Sequence, residues 1–438
     1  MAHSIISISD SQVNGADQVL VADSNSKIPA VDGSQLTLLN ATTVTSGTIA
    51  SARLDVGTTA NKLIQLDGTA KLPAVDASQL TGIVSATISA SDPTISTNPS
   101  GGVGTEWNNS TTGKMYICTD ATAGANVWKN VGGGSGDVEP FEYGGLTYGY
   151  VSGGYAGGPY NNMIERFSFT SDGNSVDTGQ DLLRAIYYGS STGASSTTHG
   201  YTCGGWVSST VYNEISKFQF NASSNATDVG DMTRTRQSPA QCNSETDGYV
   251  FGGSSTPTSG AIERFSFSSD ANSVAHGNSL AGSLVPGMGA ASRTHGYYAG
   301  TYTGGGTHFV IEKWAFGSGA NSTDVGDLTA STYAAYCSGS SSSTHGYRHG
   351  GGEGGNSTET NVIDRWSFAT DGNATDVGDL TSNKGNCGGA SSTTHGYSLG
   401  GDVADIDKYA YASSGNATDI GNLAAHGSDV RWCTGNQV

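Results

Sequence analysis

A chain of 438 residues is long enough for two or three domains and a large buried core. Its formal charge of −19 excludes nucleic acid as a natural partner, because phosphate binding needs a basic face. No apolar run reaches the ~18 residues of a membrane span, and Met1-Ala2-His3-Ser4 lacks the basic flank of a signal peptide, so neither membrane insertion nor a secretory route is expected.

The 65 glycines are about twice the ordinary share, and charged residues, at 13%, are about half of it. High Gly, Ser and Thr without charge argues for short strands and many turns. Disorder is opposed by 20 Tyr, 11 Phe and 6 Trp placed at regular intervals. Six scattered cysteines without a Cys-x-x-Cys suit small apolar strand positions better than disulfides or a metal site.

Residues 1–86 hold a repeat at an offset of 44, Ala16–Leu39 against Ala60–Ile83. Each copy has a short alternating strand and a Lys-x-Pro-Ala-Val-Asp stretch, and Asp32 and Asp76 are suited to cap a brief helical turn. Apolar residues are too few for a core within one chain, so the segment is expected to pair with copies of itself around an axis. The doubled Lys-x-Pro-Ala-Val-Asp-x-Ser-Gln-Leu resembles the shaft and connector segments of bacteriophage tail-fibre proteins. That resemblance implies an attachment segment that trimerises and contacts other virion tail proteins.

Residues 87–136 read as a small β-module ending in a flexible Gly-rich linker, Gly132–Gly136. Strands are expected at Thr105–Asn108, Lys114–Cys118 and Asn126–Asn130. The module is similar to short β-modules of phage tail fibres. Trp107, Tyr116 and Trp128 suit either its core or a sugar site, and so small a unit favours the core.

Residues 137–438 are a six-fold array. Thr-His-Gly-Tyr stands at Thr198–Tyr201, Thr294–Tyr297, Thr344–Tyr347 and Thr394–Tyr397, with altered copies at Thr147–Tyr150 and Thr246–Tyr249. The six tyrosines fall 48–51 residues apart, a period that marks stacked or radial supersecondary units. Each unit continues with an aromatic third strand, such as Ile262–Phe267, and a turn like Asp371–Thr375 leading into a fourth strand. Gly-Gly pairs at 153–154, 204–205, 252–253, 350–351 and 400–401 follow the second strand, and the copy at Ala299-Gly300-Thr301 departs from the pattern. Four strands and a Gly-Gly per unit resemble kelch-type β-propeller blades, although the Trp of the usual fourth strand is missing. The fold class is therefore all-β: a six-bladed kelch-like propeller preceded by the small module and an extended fibre segment. Leu423–Cys433 has the spacing of a unit's opening, so a C-terminal strand around Val430–Thr434 is expected to complete the first unit.

In an up-and-down unit, the Thr-His-Gly-Tyr and Asp-Gly-Asn-Ala-Thr-Asp turns share one face, and they are nearly constant. The loops after Gly-Gly share the other face and vary, and binding residues usually sit on variable loops of a rigid scaffold. Those loops carry Tyr155, Tyr160, Trp206, Tyr212, Tyr302, His308 and Phe309, with Asn161 and Asn213 among them. Aromatic plates and amides suit sugar rings, while loop-on-loop packing explains the same rings without a ligand. His199, His295, His345 and His395 recur in different units, which spreads them apart; bonds to backbone in their turns are expected rather than a metal. Asp371, Asn373, Asp376 and Asp379 suit either calcium or Asx turns.

Six-bladed sialidases carry Ser-x-Asp-x-Gly-x-x-Trp boxes, and Ser171-Asp172-Gly173 matches only a fragment of one. Glu165, Glu214, Glu263, Glu312 and Asp364 recur by position, which marks them as structural rather than as a glycosidase pair. No enzyme activity and no cofactor are expected. The chain reads as a virion structural protein, a tail fibre whose propeller binds a host-surface polysaccharide. The alternatives are a decoration, baseplate or neck component contacting other virion proteins and, behind it, a glycan-degrading enzyme.

Overall fold

The computed structural model describes residues 86–132, 138, 141–155, 158, 160–256, 260–280, 287–303, 306–329, 334–352, 359–424 and 434–437. The attachment segment with its Asp32 and Asp76 turns, most of the Gly-rich linker, and Cys433 lie outside these residues. By its internal contacts the chain divides at Val84, and everything below concerns the second unit.

The small module is one four-stranded sheet. Glu106–Asn109, Met115–Asp120 and Val127–Asn130 pair antiparallel, close to the expected positions. A further strand, Thr87–Ser89, pairs parallel with Glu106–Asn109. Its three residues are too short to show periodicity, which is why the sequence does not announce it. Tyr116, Cys118 and Trp128 are buried with Trp107 packed on them, so these aromatics form the module's core.

From Tyr148 onward the described residues form six four-stranded antiparallel sheets and two short two-stranded ones, and the described residues are all-β. The first sheet contains Tyr148–Ser152, Asn161–Ser168 and Val176–Ile186, and the second Ala194–Ser195, His199–Cys203, Glu214–Gln219 and Thr227–Asp231. The third runs from Ala240–Asn243 to Val274–Asn278, and the fourth from Met288–Ala291 to Thr323–Asp327. The fifth runs from Ser338–Ser341 to Thr375–Lys384, and the sixth from Gly388–Ser391 to Thr418–Asn422. The opening strand of the first sheet comes from the far end of the chain. Thr434–Gln437 pairs with Gly149–Ser152, in register from Thr434 opposite Ser152 to Gln437 opposite Gly149. That strand lies just beyond the expected centre, and Val430–Cys433 fall outside the described residues.

The marker tyrosines show why the repeat is needed. All six are at most 2% exposed. Each packs on an aromatic ring of the next sheet, Tyr150 tilted on Phe220 and the others stacked: Tyr201 on Phe267, Tyr249 on Phe316, Tyr297 on Phe368 and Tyr347 on Tyr411. Tyr397 of the sixth sheet stacks on Phe169 of the first, so the series returns to its start, with ring centroids 4.6–4.9 Å apart throughout. Such pairs contribute about 0.5–1.5 kcal/mol each beyond the area they bury. The glycine before each tyrosine lies under a third-strand ring: a methyl group on Gly248 would stand 2.2 Å from the Phe265 ring, and one on Gly346 2.3 Å from Trp366.

The opening strands lean on one another. A Cβ on Gly289, Gly389 or Gly435 would meet the neighbouring strand's carbonyl oxygen at 2.1–2.3 Å, so these glycines permit the close approach. The Gly-Gly pairs combine close approach with a turn: a Cβ on Gly204, Gly253 or Gly350 would meet a backbone carbonyl oxygen at 2.5–2.6 Å. They turn the chain after the second strand, with φ of 61–68° at the first glycine and 71–113° at the second. In the fourth sheet, where Gly-Gly is replaced, the strand His295–Thr303 bulges at Gly300 and the hairpin continues into Gly306–Ala315.

The space framed by the opening strands is filled by Ser190–Thr192. The Ser190 amide donates to Thr434 Oγ1, the Gln241 amide to Ser190 Oγ, Ser191 Oγ to the Gly287 carbonyl, Ser338 Oγ and the Gly389 amide to the Ser191 carbonyl, and Thr192 Oγ1 to the Gln241 carbonyl. Three consecutive residues thus bond to all five other sheets.

Candidate functional site

Three repeated motifs that invite functional readings are consumed by the fold. The histidines share hydrogen bonds of 2.8 Å between Nδ1 and Oγ1 of the preceding threonine, not with backbone as expected. Where aspartate replaces histidine, Thr246 Oγ1 donates to Asp247 at 2.7 Å. Burial holds the pKa of all four histidines below the ordinary value, which favours the neutral ring.

The Asp/Asn turns are hydrogen-bonding devices. Asn373 Oδ1 accepts the Asp327 amide of the preceding sheet, Asp376 accepts the Gly378 amide, and Asp371 pairs with Lys313. The inter-sheet asparagine bond recurs at every junction, from Asp181–Asn225 to Asn422–Asn174, at 3.0–3.1 Å. Among the described residues, no three His, Cys, Asp or Glu side chains stand together as a metal site.

The recurrent carboxylates anchor five of the six sheets to the segment leaving the one before. Glu165 accepts the Ala424 amide and the Ser175 hydroxyl, Glu263 the Thr233 amide, Glu312 the Leu280 amide, and Asp364 the Thr329 hydroxyl. The register corrects two members of the set. Glu214 stands one residue before Ile215 and pairs instead with Arg184, while Ser216 occupies the recurrent position; Asp407, after Ile406, is the missing sixth. Three buried cations from different strands reach these carboxylates: Arg236 to Glu263 at 2.8 Å, Arg348 to Asp364 at 3.4 Å and Lys384 to Asp407 at 3.0 Å. Burial opposes the charge of Glu263, but Arg236 and the hydrogen bonds outweigh it and hold the pKa below the usual carboxyl range. At Asp364 burial prevails over Arg348 and the pKa is raised.

The variable loops assemble something different. Tyr155, Tyr160 and Trp206 come together with Tyr187 and Tyr188, which the sequence reading missed. Tyr160 stacks on Tyr187 at 5.3 Å and 14°, with Trp206 edge-on at 5.7 Å; Tyr155 closes on Tyr187 at 5.3 Å and Tyr188 on Trp206 at 6.0 Å. All five residues are half-buried. Backbone bridges fix the cluster: Tyr155 pairs with Tyr160, and Tyr187 exchanges hydrogen bonds of 3.0 and 2.8 Å with Trp206. Tyr188 has a φ of 56°, a left-handed conformation shared by Ser238, Tyr336 and Asn386 in the connections to other sheets, so it belongs to the repeat. Tyr187 and Tyr188 lie in a connection between sheets, away from the Gly-Gly loops. The doublet of aromatics just before Gly189 is the signal that would have found them.

The other residues expected on this face behave individually. Tyr212 lies under the Arg184 guanidinium at 4.2 Å. Phe309 is partly buried against the core of the fourth sheet. Tyr302 and His308 pair through backbone with Thr307 and Thr301, and their side chains lie outside the described residues. Asn161 accepts the Met163 amide and Asn213 donates to the Met232 carbonyl, so both amides serve the backbone.

On the side of the constant turns, a cavity of about 680 Å³ lies against Phe141, Leu146, Thr197, Glu245 and Arg293. Its cation is already engaged, Arg293 pairing with Glu142 at 3.1 Å. No protein-family model matches the chain, and no curated protein matches it in sequence.

Proposed function

We propose that residues 137–438 form a six-bladed, kelch-like β-propeller and that the chain is a virion appendage protein, a tail fibre whose variable face binds a host-surface polysaccharide. The propeller reading is supported by the tyrosine stacks and asparagine bonds, both of which run from the sixth sheet back to the first. The binding reading rests on one observation, the five-ring platform of Tyr155, Tyr160, Tyr187, Tyr188 and Trp206. Aromatic faces stack on the apolar faces of pyranose rings, and a rigid platform loses little entropy on binding. The recurrent carboxylates are spent on anchoring the sheets, which favours binding over hydrolysis. In this reading residues 1–86 attach and trimerise the chain, and the small module connects them to the propeller.

The test is retention of the full-length protein on envelope polysaccharide from the host. Tyr160→Ala and Trp206→Ala should each weaken retention about ten-fold or more, the scale of one lost stacking ring. Undiminished retention in both variants removes the platform from recognition, and no retention of the parent protein removes the adhesin reading.

A further inference from the structure

The constant turns keep one position free. In the four Ser-x-Thr-His copies the serine Oγ accepts the amide three residues on, and the threonine hydroxyl shares a hydrogen bond with the histidine ring. Both neighbours of x therefore serve the turn. Across all six copies x reads Leu146, Thr197, Glu245, Arg293, Ser343 and Thr393, and every one of them is exposed. The turns otherwise repeat nearly one sequence, so the junctions between sheets do not dictate what stands here. Variation at a single place on a rigid scaffold is where recognition is usually written.

Five of the six converge. Leu146, Thr197, Glu245, Arg293 and Thr393 come from the turns of five different sheets and together line the cavity of about 680 Å³ on this side. A volume of this size takes a few side chains. The chain entering the array is pinned beside it: Tyr143 is buried, donates from its hydroxyl to the Gly193 carbonyl and accepts the Gln437 side-chain amide on its own carbonyl at 2.8 Å. Leu146, Phe141 and Val127 supply apolar lining, and Leu146 is 70% exposed. Two carboxylates, Glu142 and Glu245, stand against one guanidinium, Arg293, which is taken by Glu142 at 3.1 Å. Glu245 has no partner among the described residues. The cavity thus offers one reachable, uncompensated negative charge together with open apolar surface. An anion is repelled there, and a neutral sugar leaves the charge unmatched. A lysine satisfies both features, with an ammonium on an apolar stem.

We propose that this cavity docks a segment of a partner protein in which a lysine is flanked by apolar side chains, the ammonium meeting Glu245 and an apolar neighbour covering Leu146. The contact is separate from the aromatic platform and does not rest on the glycan-binding reading. The experiment is saturation-transfer NMR of the full-length protein with two capped tripeptides, acetyl-Leu-Lys-Leu-amide and acetyl-Leu-Glu-Leu-amide. The lysine peptide should show transfer and bind about ten-fold more tightly than the glutamate peptide, attraction being replaced by repulsion of similar size. Glu245→Gln should weaken the lysine peptide about three-fold, the scale of one exposed ion pair. Leu146→Ser should weaken it about ten-fold, the scale of one covered leucine side chain. Glu245→Lys should reverse the preference between the peptides, and Trp206→Ala should leave it unchanged. Both substituted positions are exposed, and thermal melts matching the parent protein confirm that the variants fold. No transfer from the lysine peptide, equal binding of the two peptides, or full binding in either Glu245→Gln or Leu146→Ser overturns the proposal. Loss in Trp206→Ala overturns it as well, by moving the contact to the platform.

Discussion

Gly248 and Tyr249 divide the work of a junction between sheets: the glycine lies under Phe265 of its own sheet, and the tyrosine stacks on Phe316 of the next. Gly248→Ala has no room, and overpacking of this kind costs about 1–3 kcal/mol. Denaturant unfolding should show that loss, whereas Gly317→Ala, with open space around its Cβ position and no left-handed φ, should not. The buried pairs make a second residue-scale prediction. Glu263 has a depressed pKa, so its contribution is full above the ordinary carboxyl range and is lost as pH falls through the lower folded value. Asp364 has a raised one, so protonation favours its folded environment: that contribution is present below the unfolded pKa and is lost as pH rises through the folded value. Carboxyl NMR titration should find Asp364 taking up its proton at higher pH than Glu263. The reverse order would contradict the assigned balance of burial against pairing.

At the scale of elements, the Thr-His-Gly-Tyr period and the aromatic third strands locate the sheets from sequence alone, because both belong to contacts that every junction must repeat. Glu214 shows where such reading slips: identity of letter suggested a place that the strand register gives to Ser216. The Thr87–Ser89 strand is too short to show periodicity, and the Tyr187-Tyr188 doublet is visible in the sequence although its meeting with Tyr160 is not. Tyr155, Tyr160 and Trp206 were legible as variable-loop aromatics, but nothing in their spacing says that they meet. The C-terminal strand carries an element-scale prediction. Removing residues 434–438 leaves Tyr148–Ser152 with an unpaired edge and takes away the Thr434 and Gln437 bonds to Ser190, Ser195 and Tyr143. An exposed edge of this kind invites intermolecular pairing. The truncated protein should lose cooperative unfolding and aggregate on heating, as followed by circular dichroism and light scattering; an unchanged transition would show that the terminal strand is dispensable.

For the six-sheet array as a whole, what matters is the contrast between its two loop sets. One set is spent on hydrogen bonds repeated at every junction, and the other converges five aromatic rings at a single junction. In the proposed reading the ligand binds off-centre, over the first and second sheets, where the five rings stand. Hydrogen–deuterium exchange of the full-length protein with and without host polysaccharide tests this most directly. Slowed exchange is predicted across Asn161–Met163, Tyr187–Tyr188 and Trp206–Val211, with the Thr-His-Gly-Tyr turns unchanged. Slowing confined to those constant turns, or no change anywhere while the polysaccharide is bound, would contradict it.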